Sequence, residues 1–374
     1  MYASPLIEIS AIDADAIVAT TAATINFFII YSISCEKNLR EIAKMASASM
    51  ADISIKGDAY IQYVDRGIGG SGSDTENHKR VNLNVIGKSG ATTVVASFRT
   101  DDNTMARSGA SNLHQFYITT KVGPVNVKAG DFYSTIGLGA WSKSEARTDA
   151  LSLSTKVGPV TLGVHTADGT TKDSGSGAVS VPGTTHVSVA VKIASAKVKV
   201  INNPNAKWTD ISASGTFGGI SVAAEHLKQK SVNGDPEEKV TLLHVGGKVG
   251  TVKWDVAQYK NKDAAAGSNA KFSPLGSMLV GTKARGITAT AAANTGQFSK
   301  ILGASISTKV AGSTIKAIYT KNTYGAADKL TGVELIFTRA VIGGKLIANL
   351  AKVSGADVDI FNATNRGVRF DVKF

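Results

Sequence analysis

One cysteine, Cys35, occurs in 374 residues, so the chain has no intramolecular disulfide framework and no thiolate cluster for a metal. Proline is scarce at 7 residues and aromatics reach only 6%, whereas glycine numbers 38, a balance that suits many short strands with tight turns better than long helices. From Asp52 onward no run of about twenty apolar residues occurs, which excludes a helical membrane span in that part. The six histidines, His78, His114, His165, His186, His226 and His244, are scattered without ligand spacing, and no metal site or cofactor is expected. The glycine-rich pieces at 67–72 and 174–177 lead into neither a helix pattern nor a Lys-Ser/Thr pair, so they do not read as phosphate cradles. No nucleophile-elbow signature supports a hydrolase.

What is present is a mean hydropathy of +0.03. That value results when apolar and polar residues alternate along strands with lipid on one side and water on the other. The formal net charge is +12; residues 1–51 hold three basic and five acidic side chains, a net of −2, so the remainder carries +14. Such a basic excess can also mean nucleic-acid binding, but here the cations alternate along strands and do not gather with aromatics into a stacking platform, so no nucleic-acid partner is expected.

The first fifty residues read differently from the rest. The stretch 14–34 is apolar enough for the core of an export signal, yet no Lys or Arg precedes it. Ser49 and Ala51 before Asp52 resemble the small-residue end of a signal peptide. Residues 1–51 are therefore expected to be a leader, or an extension from a misplaced start, outside the barrel, with 52–374 as a single domain. Cys35 receives no role, because Ser32 stands where an acylation motif wants Leu.

From Asp52 the period is two. Ile53, Ile55, Gly57, Ala59, Ile61 and Tyr63 fall on one face, and Ser54, Lys56, Asp58, Tyr60 and Gln62 on the other. The end repeats this, with Val368, Phe370, Val372 and Phe374 opposed to Arg369, Asp371 and Lys373. Between the ends, paired strands recur around short glycine turns: Ser89-Gly90, Gly123-Pro124, Gly158-Pro159, Gly218-Gly219, Gly250-Thr251, Gly312-Ser313 and Gly343-Gly344. The string TKVGPV appears twice, at 120–125 and 155–160. Longer polar connections at 67–79, 100–111, 132–149, 167–184, 229–238 and 261–273 separate these hairpins. Short turns alternating with long loops are what an up-and-down transmembrane barrel shows when one rim faces the periplasm and the other the exterior. An antiparallel barrel of roughly sixteen to twenty strands is expected, about eighteen by tally, with the count least secure around 264–300.

If the apolar face meets lipid, alternation turns the polar face to the lumen. Lys56, Arg66, Arg80, Arg99, Lys121, Lys128 and Lys156, with Asp58, are the expected pore-lining charges. Nearly all are cations, and cations inside a narrow aqueous pore concentrate anions. Tyr63, Phe98, Phe116, Trp254 and Phe374 fall on the apolar face near strand ends, where interface girdles are expected.

The opening ADISIKGDAYIQY and the closing GVRFDVKF resemble the first and last strands of the general diffusion porin family of proteobacteria. The resemblance spans 52–374 in architecture and is specific in sequence only at the two ends. It implies a passive outer-membrane channel of about sixteen strands, commonly a homotrimer, for small hydrophilic solutes. It also implies an aromatic assembly signal at Phe370 and Phe374, read by the barrel assembly machinery, and a loop after the fifth strand that folds inward. Here that loop is 131–149, carrying Asp131, Trp141, Lys143, Glu145, Arg147 and Asp149. The family pairs acids on this loop with cations on the facing wall. Lys143 and Arg147 depart from that pattern and favour anions. The resulting expectation is an anion-preferring porin of the Gram-negative outer membrane, in contact with its lipid, and not an enzyme. The competing readings are a non-channel barrel, serving as adhesin, receptor or enzyme, and a soluble β-rich structural protein.

Overall fold

In a computed structural model, residues 52–68, 73–101, 112–134, 136–138, 148–167, 183–230, 237–262, 298–324, 328–355 and 363–374 are described. Asp52–Phe374 forms one structural unit; the expected leader, Met1–Ala51, lies outside the described residues. The described residues contain eighteen strands: β1 (Asp52–Ile68), β2 (Ser73–Ser89), β3 (Thr92–Asp101), β4 (Asn112–Val122), β5 (Val125–Phe132), β6 (Thr148–Val157), β7 (Val160–Ala167), β8 (Thr184–Ile193) and β9 (Ala196–Asn203) come first. They are followed by β10 (Trp208–Phe217), β11 (Ile220–Gln229), β12 (Glu238–Val249), β13 (Val252–Lys262), β14 (Phe298–Val310), β15 (Ser313–Tyr324), β16 (Asp328–Val341), β17 (Gly344–Gly355) and β18 (Ala363–Lys373). No helix among the described residues is long and apolar enough to cross a membrane.

Every strand pairs antiparallel with its neighbours in sequence, and β18 returns to β1, so the sheet closes and has no edge. The seam is long: eleven residue pairs run from Asp58 opposite Lys373 to Ile68 opposite Ala363. The last residue extends it, because Gly57 N donates to Phe374 O at 2.7 Å and Phe374 N donates to Gly57 O at 3.0 Å. The Phe374 ring also lies over Gly57, where an added Cβ would fall 2.5 Å from it. Trp254 covers Gly247 and Phe370 covers Gly344 in the same way, so aromatic rings shield bare strand backbone near the tight-turn rim.

Eight hairpins turn in two residues at that rim. Gly123 and Gly158, each before a proline, take φ of 56° and 57°, the left-handed conformation such turns demand. Seven of the eight turns carry the glycine signal that sequence alone shows. The eighth, between β8 and β9, is built on Ala194 at φ 51° and had no such signal. At the opposite rim the connections are longer, and the first of them differs from expectation. β1 and β2 are each 17 residues long, so the first loop shrinks from 67–79 to 69–72.

Parity separates the two faces. Ile61, Ile211 and Leu350 are 49%, 46% and 61% exposed, while their neighbours Gln62, Asp210 and Asn349 are 1%, 0% and 5% exposed. The apolar side chains therefore look outward, and the polar ones look into the barrel. On the inner face of β9–β17 this rule is incomplete. Ile201, Leu227, Val240, Tyr259, Ile301 and Ile318 point inward by register yet are at most 2% exposed, so this part of the wall buries apolar side chains among polar ones such as Asp210 and Glu334 instead of being uniformly polar.

Candidate pore lining

The lumen charges follow from cross-strand register, because residues directly opposite share a face. Lys56, Asp58, Arg80 and Arg99 stand inward on β1–β3: Asn82 opposes both Asp58 and Arg99 and links them, with Asn82 Nδ2 donating to Asp58 Oδ2 at 2.8 Å and Arg99 Nε donating to Asn82 Oδ1 at 2.7 Å. Arg66 occupies an inward register position opposite Asn365; its side chain lies outside the described residues. Arg80 and Arg369 flank the Tyr60 ring, their Cζ atoms 5.5 Å and 3.9 Å from its centroid. On β5, Lys128 Nζ sits 4.0 Å from the centroids of both Tyr117 and Phe132. Lys121 and Lys156 stand inward beside the two TKVGPV turns, opposite Asn126 and Thr161.

Those last two belong to a larger set that sequence reasoning left unlisted. Lys88, Lys192, Lys197, Lys248, Lys253, Lys309 and Lys345 also face inward close to the tight turns. Seven of the eight hairpins thus carry at least one inward lysine near the turn, and only β10–β11 lacks one. The signal was available, since Lys197 and Lys199 alternate with Val198 and Val200 as plainly as Lys56 does with its neighbours. Acids were missed too. Asp210, Glu225, Asp255, Glu334 and Asp371 face inward on β10–β18, where His244 Nε2 lies 3.0 Å from Asp255, Asn349 Nδ2 donates to Glu334 at 3.2 Å and Lys345 approaches Asp371 at 3.5 Å.

The connection after β5 turns inward and reaches the far wall. Leu138 N donates to Glu225 Oε2 on β11 at 2.7 Å, and Ile136 is 1% exposed. Gly137, at φ 51°, lies so close that an added Cβ would overlap the Glu225 carboxylate. From β4 to β10 the inner wall carries a run of rings: Tyr117 and Phe132 at 6.0 Å, Phe132 and His165 at 5.8 Å, His165 stacked on His186 at 4.7 Å, and His186 and Trp208 at 5.8 Å. The histidines looked unrelated in sequence because their strands are joined by a long connection, and only pairing brings His165 opposite His186.

Two expected loop acids stand elsewhere. Asp131 lies within β5 and Asp149 within β6, directly opposite each other. Asp131 also opposes Phe116, which is 46% exposed on the outer face, so parity turns both acids away from the lumen. The cause is that the strands run past the boundary assigned from sequence, and inward Phe132 fixes its neighbour outward. Trp141, Lys143, Glu145 and Arg147 lie outside the described residues. Phe370 faces outward opposite Ile61, beside Phe374 at the seam. Among the described residues no group of three or more metal-ligating side chains comes together.

This closed eighteen-strand meander is the fold of outer-membrane porins of proteobacteria. The structure is similar to OccK10 (OpdN) of Pseudomonas aeruginosa, with a TM-score of 0.63 and 8% identity over 86% of this chain and 99% of that one. It is also similar to a BenF-like porin from Pseudomonas fluorescens Pf-5, with a TM-score of 0.62 and 11% identity over 86% and 98%. Acinetobacter baumannii OccAB2 gives a TM-score of 0.60 and 10% identity over 86% and 98%. No protein-family model and no curated protein matches the chain.

Proposed function

We propose that the protein is a porin of the bacterial outer membrane, a passive aqueous channel for small hydrophilic solutes that prefers anions. The observation that carries this reading is the inward lysine near seven of the eight tight turns, which rings the lumen at one mouth. Cations crowded on low-dielectric walls raise the local anion concentration and repel cations, without any bound group or covalent step. Farther in, Arg80, Arg99 and Lys128 continue the positive wall on β2–β5, opposite the mixed charges of β10–β18. The solute path on this reading follows β1–β9, because the inner face from β9 to β17 holds the buried apolar residues and the loop contact at Glu225. Lys143 and Arg147 of the 131–149 loop would add to the same field. The outward Phe370 and terminal Phe374 suit recognition by the assembly machinery, and family resemblance favours a homotrimer.

Planar-bilayer recording of the purified protein under a KCl gradient tests the reading. Stepwise openings with a reversal potential on the chloride side are expected. A cation-side potential would overturn the anion preference, and a folded, inserted barrel without conductance would overturn the channel.

A further inference from the structure

Each of the eight tight hairpins has an inward cross-strand pair one step back from the pair that closes its turn. In five hairpins this pair joins one lysine to a neutral residue, as Lys121 to Asn126 and Lys309 to Thr314. Two hairpins differ. Lys192 directly opposes Lys197 between β8 and β9, and Lys248 directly opposes Lys253 between β12 and β13. The remaining hairpin, β10–β11, carries Thr216 opposite Ser221 and lies between those two in the sheet.

Directly opposed residues have Cβ atoms about 4.5–5.5 Å apart, and like charges there destabilise the sheet unless an anion lies between them. All four lysines are exposed, and among the described residues none has an acidic partner. Asp255, two residues from Lys253 on the same face, is engaged elsewhere, by His244 at 3.0 Å and Ser305 Oγ at 3.3 Å. The side chain indicates which anion fits. An ammonium is a compact point charge without a planar fork, so it lacks the bidentate grip by which a guanidinium selects a flat carboxylate. Two ammonium groups side by side match a tetrahedral group with two negative charges on one centre, as a phosphate is. Inward parity keeps both pairs away from lipid headgroups. β9 and β12 are three strand spacings apart, about 14 Å, so one phosphate does not reach both pairs. The Thr216 and Ser221 hydroxyls, 3.2 Å apart, stand between them and offer hydrogen bonds to a solute passing from one to the other.

We infer, on the strength of the anion-preferring channel proposed above, that Lys192 with Lys197 and Lys248 with Lys253 are two phosphate-binding stations at the tight-turn mouth. They retain solutes that carry a phosphate dianion, inorganic phosphate and phosphate monoesters, in preference to chloride or carboxylates. The lone lysines of the other hairpins supply field without a second cation to close on the same group.

The test is planar-bilayer recording of chloride current while inorganic phosphate is added at about pH 8, where a phosphate carries nearly two charges. Phosphate should reduce the current saturably, and acetate at the same concentration and ionic strength should not. Lys192→Gln/Lys248→Gln leaves each station one lysine and should raise the half-blocking concentration roughly fivefold, the contribution of one exposed ion pair. This variant loses like-charge repulsion, so it should fold at least as stably as the parent. In detergent, phosphate should raise the urea midpoint of the parent more than that of the variant, which gives a second readout. Lys121→Gln/Lys156→Gln removes as much charge from lone positions of the ring. At about 0.15 M salt, with a Debye length of about 8 Å, it should shift the half-blocking concentration less than about twofold. An equal shift in that control, absence of block by phosphate, or equal block by acetate would each overturn the stations. A channel that prefers chloride and ignores phosphate defeats the stations alone, whereas absence of conductance or a cation-side reversal potential defeats the channel reading beneath them.

Discussion

At the tight-turn end of the wall Lys121 and Lys156 turn into the lumen, whereas at the long-connection end Lys260 and Lys300 turn out toward the surroundings, although all four sit in alternating strands of similar composition. A one-residue difference in parity separates the two sets. In the first, lysine holds the polar position of the repeat and lines water. In the second it holds the apolar position, which is tolerable only where the strand has already left the hydrocarbon. The same residue type thus faces the lumen at one rim and the outside at the other, and its parity along the strand decides which.

The sharpest way to break this comparison is to move one lysine across the wall at mid-strand. Lys316→Ala/Ala317→Lys shifts the charge of β15 from the inner to the outer face. Insertion at the bilayer midplane costs about 2–4 kcal/mol, so urea unfolding in vesicles should show a loss of that size relative to Lys316→Ala alone. Next in size, Glu225→Ala removes the acceptor for Leu138 N. A hydrogen bond contributes about 0.5–1.5 kcal/mol net, and its loss should appear as noisier open-channel current and higher conductance. If the current trace is unchanged, the inward connection is held by other contacts.

Selectivity sharpens the comparison further. Lys121→Gln/Lys156→Gln/Lys197→Gln should lower the chloride-to-potassium permeability ratio roughly twofold, with the contrast fading near 1 M salt, while Lys260→Gln/Lys300→Gln, on the outer face, should leave the ratio where it was. Asp65→Asn deletes an exposed ion pair and should change unfolding free energy by less than about 1 kcal/mol.

The smallest effect concerns Glu237, whose carboxyl is held below the usual glutamate range by hydrogen bonds from Lys239 and Lys228. A depressed carboxyl makes its contact above the ordinary carboxylate value and loses it as pH falls through the lowered one. Acidification should therefore release the two lysines only below the ordinary glutamate range, visible as a late chemical-shift transition of the Glu237 side chain in NMR.

Much of this was legible in the chain. The alternation of Ile53 to Tyr63 with its polar partners placed Lys56 and Asp58 on one face, and seven glycine-marked turns set the hairpins. The Ala194 turn was not legible, because alanine carries no signal for a left-handed φ. Nor were the outward positions of Asp131 and Asp149, since a strand end assigned one or two residues early leaves the parity of everything beyond it open. The stack of His165 on His186, and the burial of Ile201 and Leu227 on the inner face, arise from neighbours distant in sequence.

Local rules acting at short range, namely side-chain alternation and turn chemistry, determined from sequence alone that this chain forms an antiparallel meander with one greasy and one polar face. Closure at Gly57 and Phe374, the reach of Leu138 to Glu225, and the separation of inner from outer lysines were decided only by the tertiary structure. The physical reason is that these features depend on register around the whole cylinder, a quantity that no single strand contains.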